Sequence, residues 1–191
     1  MSSKTNVQEL IKPMLDPHAK IPSQGVQWNR YVELKKKAYC DLNQKELQAH
    51  LISEANWVMR NRAKSCEQFR VKIHVGDICY IDFGPAYLNE AGFQHFGLIL
   101  SIMNSKAFVV PMTSNSVTYH QAYDPKKYPC GKKHLMRLGM IEGMRKESVL
   151  FLNDCKYINT ARIIDVKAHL DVEGELFQAI KKRVVECLIG S

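Results

Sequence analysis

The groups in this 191-residue chain that can move protons, bind metals or attack a substrate include seven histidines and six cysteines. Their spacing narrows the chemistry. His95, His120 and His134 form no HxxxH or HxH pair and have no clustered carboxylates beside them, which argues against a metal centre. Cys40, Cys66, Cys79, Cys130, Cys155 and Cys187 are scattered without a CxxC pair, so neither a zinc knuckle nor a compact disulfide framework is indicated, and they read as reduced and mostly structural. Neither GxxxxGK nor GxGxxG occurs, so nucleotide hydrolysis is not supported. His95 opens one apolar run and the pair Thr113-Ser114 closes another. An imidazole of ordinary pKa, about 6.5, accepts and returns a proton near neutral pH, and a threonine hydroxyl can bond an oxyanion. Each also has an ordinary role, the histidine as a satisfied surface residue at a strand start and the threonine as a turn residue at a strand end.

The elements that must position these groups are strands. Over Gly76 to Phe83, Ile78, Tyr80 and Asp82 fall on one face of a period-two pattern, while Cys79, Ile81 and Phe83 fall on the other. Both faces are therefore expected to be covered, as in a small barrel. Gly84-Pro85 ends this run, and a polar loop follows before an apolar run over Phe96 to Met103. Asn104-Ser105 then makes a two-residue break before Ala107 to Met112, the spacing of a hairpin. Val149 to Ile158 and Ala161 to Val166 are two further strand candidates. Leu170 to Ile189 predicts a helix with the stripe Leu176, Phe177, Ile180, Val184 and Leu188, capped by Asp171. The insert Asn115 to Lys133 interleaves Tyr119, Tyr123 and Tyr128 with four lysines. It reads as a long surface loop, able either to stack single-stranded bases or to pack on its own domain.

The N-terminal part is different in character. Up to about residue 38, Pro13, Pro17, Pro22 and Gly25 precede Lys35-Lys36-Lys37, which predicts an irregular arm with one short helix at Asn6 to Leu15. From Asp41 to about Ser65, Leu47, Leu51, Ala55, Val58 and Met59 recur at helical spacing; this stripe is expected to bury against the barrel or a second copy of the chain. The net charge of +8 is concentrated here: residues 1–74 carry 13 Lys/Arg against 7 Asp/Glu. Such a surface attracts a polyanion or an acidic partner, or is simply a solvated basic face. At 46% hydrophobic residues the chain is expected to fold. Without an apolar run of about 18 residues or a signal-peptide core, the expected location is the cytoplasm, with no membrane partner.

The segment Val75 to Ser114, VGDICYIDFGPAYLNEAGFQHFGLILSIMNSKAFVVPMTS, resembles the opening of the MazF/PemK family of toxin endoribonucleases. The likeness lies in GD before an alternating run, an Asn-Glu-x-Gly turn at Asn89 to Gly92, then FGLIL and VVPMTS. It extends through ESVLFLNDCKYINTARIIDVKAHLD and covers about residues 73–190. The resemblance implies an α+β fold: a small SH3-like β-barrel with a C-terminal helix over residues 73–191, preceded by a basic, partly helical extension over residues 1–72. It also implies the toxin of a type II toxin–antitoxin system that cuts single-stranded RNA without metal or other cofactor. The ribose 2′-hydroxyl attacks the adjacent phosphate and leaves a cyclic phosphate. Implied partners are single-stranded RNA, an antitoxin with an acidic disordered tail, and a second copy forming a homodimer.

Carried over residue by residue, the family's catalytic arginine falls on His95 and its strand-end threonine on Thr113. Asn89, Glu90 and Gln94 lie in the loop that borders the family's RNA groove. Ser114 neighbours Thr113, and Lys156 is a basic residue positioned to face phosphate. The family's later Arg/Asp pair falls on Phe151 and Asn153, so that pair is absent. Histidine can serve as a general base where the family has arginine, but it offers no permanently charged fork to the phosphate. A catalytically silent RNA- or protein-binding module on the same barrel is therefore the alternative. The extension could serve as an inhibitory element over the groove, or as a dimerisation or nucleic-acid arm.

Overall fold

The computed structural model describes residue 18, residues 24–124 and residues 127–189. The short helix expected at Asn6 to Leu15 lies outside these. The chain divides into two compact units, Met1–Gln48 and Ala49–Ser191.

In the first unit, helix α1 spans Gln24–Cys40 and has no buried residue. The expected irregular arm is thus corrected over this stretch, which contains no proline after Pro22 and carries the helix-compatible run Glu33 to Ala38. Helix α2 spans Gln44–Arg60 and passes into the second unit. It starts on a capping box: Asn43 Oδ1 accepts the Glu46 amide and Glu46 Oε2 accepts the Asn43 amide, both at 3.0 Å. The cap is therefore Asn43.

The second unit is an antiparallel sheet with a C-terminal helix. The strands are β1 (Asp77–Asp82), β2 (Gln94–Met103), β3 (Lys106–Thr113), β4 (Leu135–Gly139), β5 (Ser148–Phe151), β6 (Lys156–Asn159) and β7 (Ile163–His169), with short helix α3 (Ser116–Gln121) and helix α4 (Glu175–Ile189). The strand path runs β4-β5-β3-β2-β1-β7, and β6 pairs with the other end of β3. Strands β4 and β7 are not paired with each other, so the expected barrel is an open ladder among the described residues. Met103 and Lys106 close the β2–β3 ladder around Asn104 and Ser105, whose φ values of +48° and +61° are those of a tight hairpin turn.

Both faces of the sheet are covered. One core joins Ile78, Leu98, Val110, Met112 and Leu150 to Phe177, Ile180 and Val184 of α4. A second, on the opposite face, contains Cys79, Ile81, Ile99, Val109 and Ile163 together with Cys66, and Phe83 packs against it. Alternation along β1, Ile78 to one core and Cys79 and Ile81 to the other, follows from the strand period of two. The long run expected at Val149 to Ile158 is broken at Leu152–Asp154 by a 3-10 turn, which lets β5 and β6 pair with different ends of β3. Helix α4 begins at Glu175 rather than near Leu170, because Asp171 Oδ1 accepts the Glu173 amide and the Asp171 carbonyl the Gly174 amide in a turn.

The tyrosine–lysine insert folds back on the sheet. Tyr119 packs against Ala122, Leu135 and Val149, and its hydroxyl donates to Glu147 at 3.2 Å. Arg137 of β4 donates to the Tyr119 carbonyl at 3.0 Å and pairs with Asp124 at 3.3 Å. Tyr119 is therefore a packing residue of this domain.

Candidate functional site

Loop 84–93 joins β1 to β2 and is closed at its neck. The Phe93 amide donates to the Gly84 carbonyl at 2.6 Å and the Phe83 amide to the Phe93 carbonyl at 2.7 Å. Gly84 turns at φ +85°, where a β-carbon would be strained. Beneath the neck sits Asp82, 4% exposed. Its Oδ1 accepts the Gly84 amide at 2.9 Å and the Ser53 hydroxyl at 2.6 Å, and its Oδ2 accepts the Asn56 amide group at 2.7 Å. Helix α2 thus reaches the loop base with polar side chains. Arg60, one turn on, donates to the Ala161 and Ile163 carbonyls at 3.1 Å and stacks on Phe69, its guanidinium carbon 4.1 Å from the ring centre.

The loop is pinned a second time from β6 and the turn before it. Asp154 pairs with Lys156 at 2.8 Å and its other oxygen accepts the Ala91 amide. Lys156 Nζ also approaches the Ala91 carbonyl at 3.5 Å and lies 5.7 Å from the centre of the Phe83 ring. One residue further, the Gly92 carbonyl meets His95 Nδ1 at 2.6 Å. A carbonyl only accepts, so Nδ1 carries the hydrogen and neutral His95 bears its lone pair on Nε2. Among the described residues nothing hydrogen-bonds that Nε2.

His95 pairs with Ile81 on β1, and the β2–β3 ladder has its last pair at Phe96 and Met112. One step beyond that pair stand His95 and Thr113. Thr113 pairs on its other side with Val149. Lys156 pairs with Val109, two alternations along β3 from Thr113. By strand periodicity His95, Thr113 and Lys156 therefore share the face of the second core. Thr113 Oγ1 accepts the Asn115 amide at 3.2 Å, and Asn115 caps α3 through its own side chain. Ser114 lies just past the strand. Asn89 adopts φ +69° near the loop tip, and Glu90 Oε2 accepts the Tyr87 amide at 3.3 Å. Gln94 pairs with Asp82, and its Nε2 is buried without a partner. Histidine, threonine and lysine thus lie on one face, Gln94 lies at its edge, and Asn89 and Glu90 stand on the loop above; no direct contact joins His95 to Lys156.

Two charged residues at this place were not among the residues expected from the sequence. Arg162 donates to the Phe83 and Asp82 carbonyls at 3.0 and 3.3 Å, putting a guanidinium at the loop base. Its only sequence signal was a basic residue before the Ile-Ile-Asp of β7. Asp154 is the other; it stands one position past Asn153, and with Lys156 it forms a charge pair beside the loop.

Elsewhere, a cleft of about 550 Å³ is lined by Tyr123, Lys133, His134, Arg183, Glu186 and Cys187 and contains none of the expected site residues. Burial and nearby Lys132 hold His134 below the ordinary histidine pKa. Burial pushes the thiols of Cys66, Cys79 and Cys155 up, that of Cys155 to about 12, so all three are unreactive thiols at neutral pH. No group of three His, Cys, Asp or Glu that could hold a metal gathers among the described residues, and no described helix is long and apolar enough to cross a membrane.

No protein-family model matches the chain, and no curated protein matches its sequence. Among solved structures it is similar to MazF of Deinococcus radiodurans in a Form-I crystal, at 16% identity over 61% of this chain and 96% of that one, with a TM-score of 0.45. It is also similar to a MazE-MazF Form-II structure of the same organism, at 16% identity over 62% and 97%, with a TM-score of 0.41. A third is the Mycobacterium tuberculosis toxin MazF-mt6, at 12% identity over 60% and 98%, with a TM-score of 0.42.

Proposed function

We propose that this chain is a metal-independent endoribonuclease of the MazF/PemK type, the toxin of a toxin–antitoxin pair, and that it cuts single-stranded RNA on the face between His95, Thr113 and Lys156. The observation that carries this reading is the disposition of His95. Its Nδ1 is tied to the Gly92 carbonyl and its Nε2 has no partner among the described residues, one step past the end of the ladder it shares with Thr113.

The chemistry follows from those positions. Nε2 of His95 takes the proton of the ribose 2′-hydroxyl as its oxygen attacks the adjacent phosphorus. The P–O5′ bond then breaks, the imidazolium returns the proton to the departing 5′-oxygen, and the products are a 2′,3′-cyclic phosphate and a 5′-hydroxyl. The Thr113 hydroxyl, with Ser114 beside it, donates to a nonbridging oxygen. Lys156 and Arg162 supply positive charge as the phosphorane forms, without the bidentate fork of an arginine in the His95 position. Asn89, Glu90 and Gln94 contact the nucleotides flanking the cut. The family resemblance adds an acidic antitoxin tail as the competing ligand of this face, and a homodimer across which the RNA groove runs; the +8 charge suits both polyanions.

The silent-module reading has a specific observation in its favour: Lys156 is already paired with Asp154. The deciding experiment incubates purified protein with mixed-sequence single-stranded RNA in EDTA, beside His95→Ala, and identifies the product ends. Cyclic-phosphate ends that disappear in the variant support the nuclease. Intact RNA that is nevertheless bound selects the silent module.

A further inference from the structure

Helix α2 is mounted with its polar side inward. Ser53, Asn56 and Arg60 recur at helical spacing along one line and make the bonds to Asp82, Ala161 and Ile163. The opposite side of the same turns carries Leu51, Ile52, Ala55, Val58 and Met59. Leu51 is 53% exposed, Ile52 42%, Val58 68% and Met59 70%, and Ala55 is exposed between them. Leu51, Ala55, Val58 and Met59 belong to the stripe expected to bury against the barrel or a second copy, whose remaining member Leu47 is half-buried, and the barrel is excluded because the other face holds that place. Rolling the helix over would strip the buried Asp82 carboxylate of two donors and leave it short of hydrogen bonds. The stripe is thus held outward on a fixed mount. Its four large side chains expose an apolar area of the order of several hundred Å², comparable to the largest patch on a typical monomer and of the kind that is often functional.

We propose that this stripe is an interface between two copies of the chain, in which the α2 helices pair antiparallel about a two-fold axis through Ala55. A two-fold contact requires a self-complementary patch. With Ala55 on the axis, Leu51 meets Met59 of the second copy and Ile52 meets Val58 of the second copy, apolar against apolar at every step. The small central side chain lets the helices approach closely. No charged residue interrupts the stripe, so the contact carries none of the repulsion that two chains of net charge +8 feel elsewhere. Two such stripes together bury of the order of 1,000 Å², the scale at which specific interfaces begin. The surface lies before residue 73, outside the region that resembles the toxin family.

The test uses the full chain. Ala55→Cys under mild oxidation, followed by mass spectrometry of non-reduced peptides, is expected to give a 55–55 disulfide between two chains, because the residue sits on the axis. Light scattering of Val58→Lys is expected to show a lower mass than that of the unaltered protein, with a halving where the stripe is the one contact between copies. Both positions are exposed, and circular dichroism checks that each variant folds. A folded Ala55→Cys protein without the 55–55 link, or a Val58→Lys protein of unchanged mass, overturns the proposal.

Discussion

Ser53 and Asp82 meet through a 2.6 Å hydrogen bond in which the hydroxyl of helix α2 donates to a carboxylate buried at the end of β1. Both residues are almost wholly buried, at 3% and 4% exposure. The bond joins the segment before the sheet to the loop that carries the candidate site, because the same carboxylate oxygen accepts the Gly84 amide. Ser53→Ala leaves the carboxylate one donor short without opening a large cavity. We expect it to cost about 1–3 kcal/mol, measured as a lower urea midpoint, and to speed proteolysis within residues 49–60. An unchanged midpoint would mean that α2 is not held by this bond.

Asp154 acts on the same loop from the other side. Asp154→Asn weakens the pair with Lys156 and the bond to the Ala91 amide together. The pair is partly solvated, so global stability should change by less than about 1 kcal/mol. The loop tip should respond more, since Tyr87 is 87% and Leu88 94% exposed. Limited chymotrypsin digestion is expected to cut there several-fold faster in the variant, and equal rates would show that the loop is pinned by its neck alone.

His134 makes stability depend on pH in a definite direction. Its pKa is lowered first by burial and then by Lys132, so the unfolded chain binds its proton more readily than the folded one. Its contribution is therefore fully present above the ordinary histidine pKa of about 6.5 and is lost as pH falls toward the lower folded value. Urea unfolding at pH 7.5 and 5.5 should show a smaller loss on acidification for His134→Gln than for the unaltered protein. Equal losses would place the acid sensitivity elsewhere.

Ser105 pays for the hairpin between β2 and β3. It holds φ +61° without the freedom of glycine, and its carbonyl accepts the Thr160 amide at 2.9 Å, a bond that a side-chain change leaves in place. Ser105→Gly creates the Asn-Gly turn that this geometry favours. It should raise stability by up to about 1 kcal/mol, read as a higher melting temperature. A lower one would mean that the hydroxyl has a role beyond the turn.

Much of this was legible in the sequence because it is local. Asn104-Ser105 between two apolar runs specifies a hairpin, the alternation of Ile78 with Cys79 and Ile81 announces a sheet covered on both faces, and Phe177, Ile180 and Val184 of the expected stripe mark the buried side of α4, while its flanking Leu176 and Leu188 are exposed. In each case side-chain period and turn chemistry act within a few residues, and burial follows the pattern. His95 and Thr113 were picked out by the resemblance to a family, and the hairpin register sets them one step past the last pair of the β2–β3 ladder.

What the tertiary structure decided is what depends on partners distant along the chain. Periodicity in α2 shows that a stripe exists, but not which face meets the sheet. That choice was made by the buried carboxylate of Asp82, whose need for donors outweighs the attraction of Leu51 and Val58 to a core already filled from the other strands. Arg162 and Asp154 came to the candidate site in the same way, through the pairing of β7 with β1 and of β6 with β3. No local rule in the sequence specifies those pairings, because the hydrogen bonds that set them join residues separated by dozens of positions.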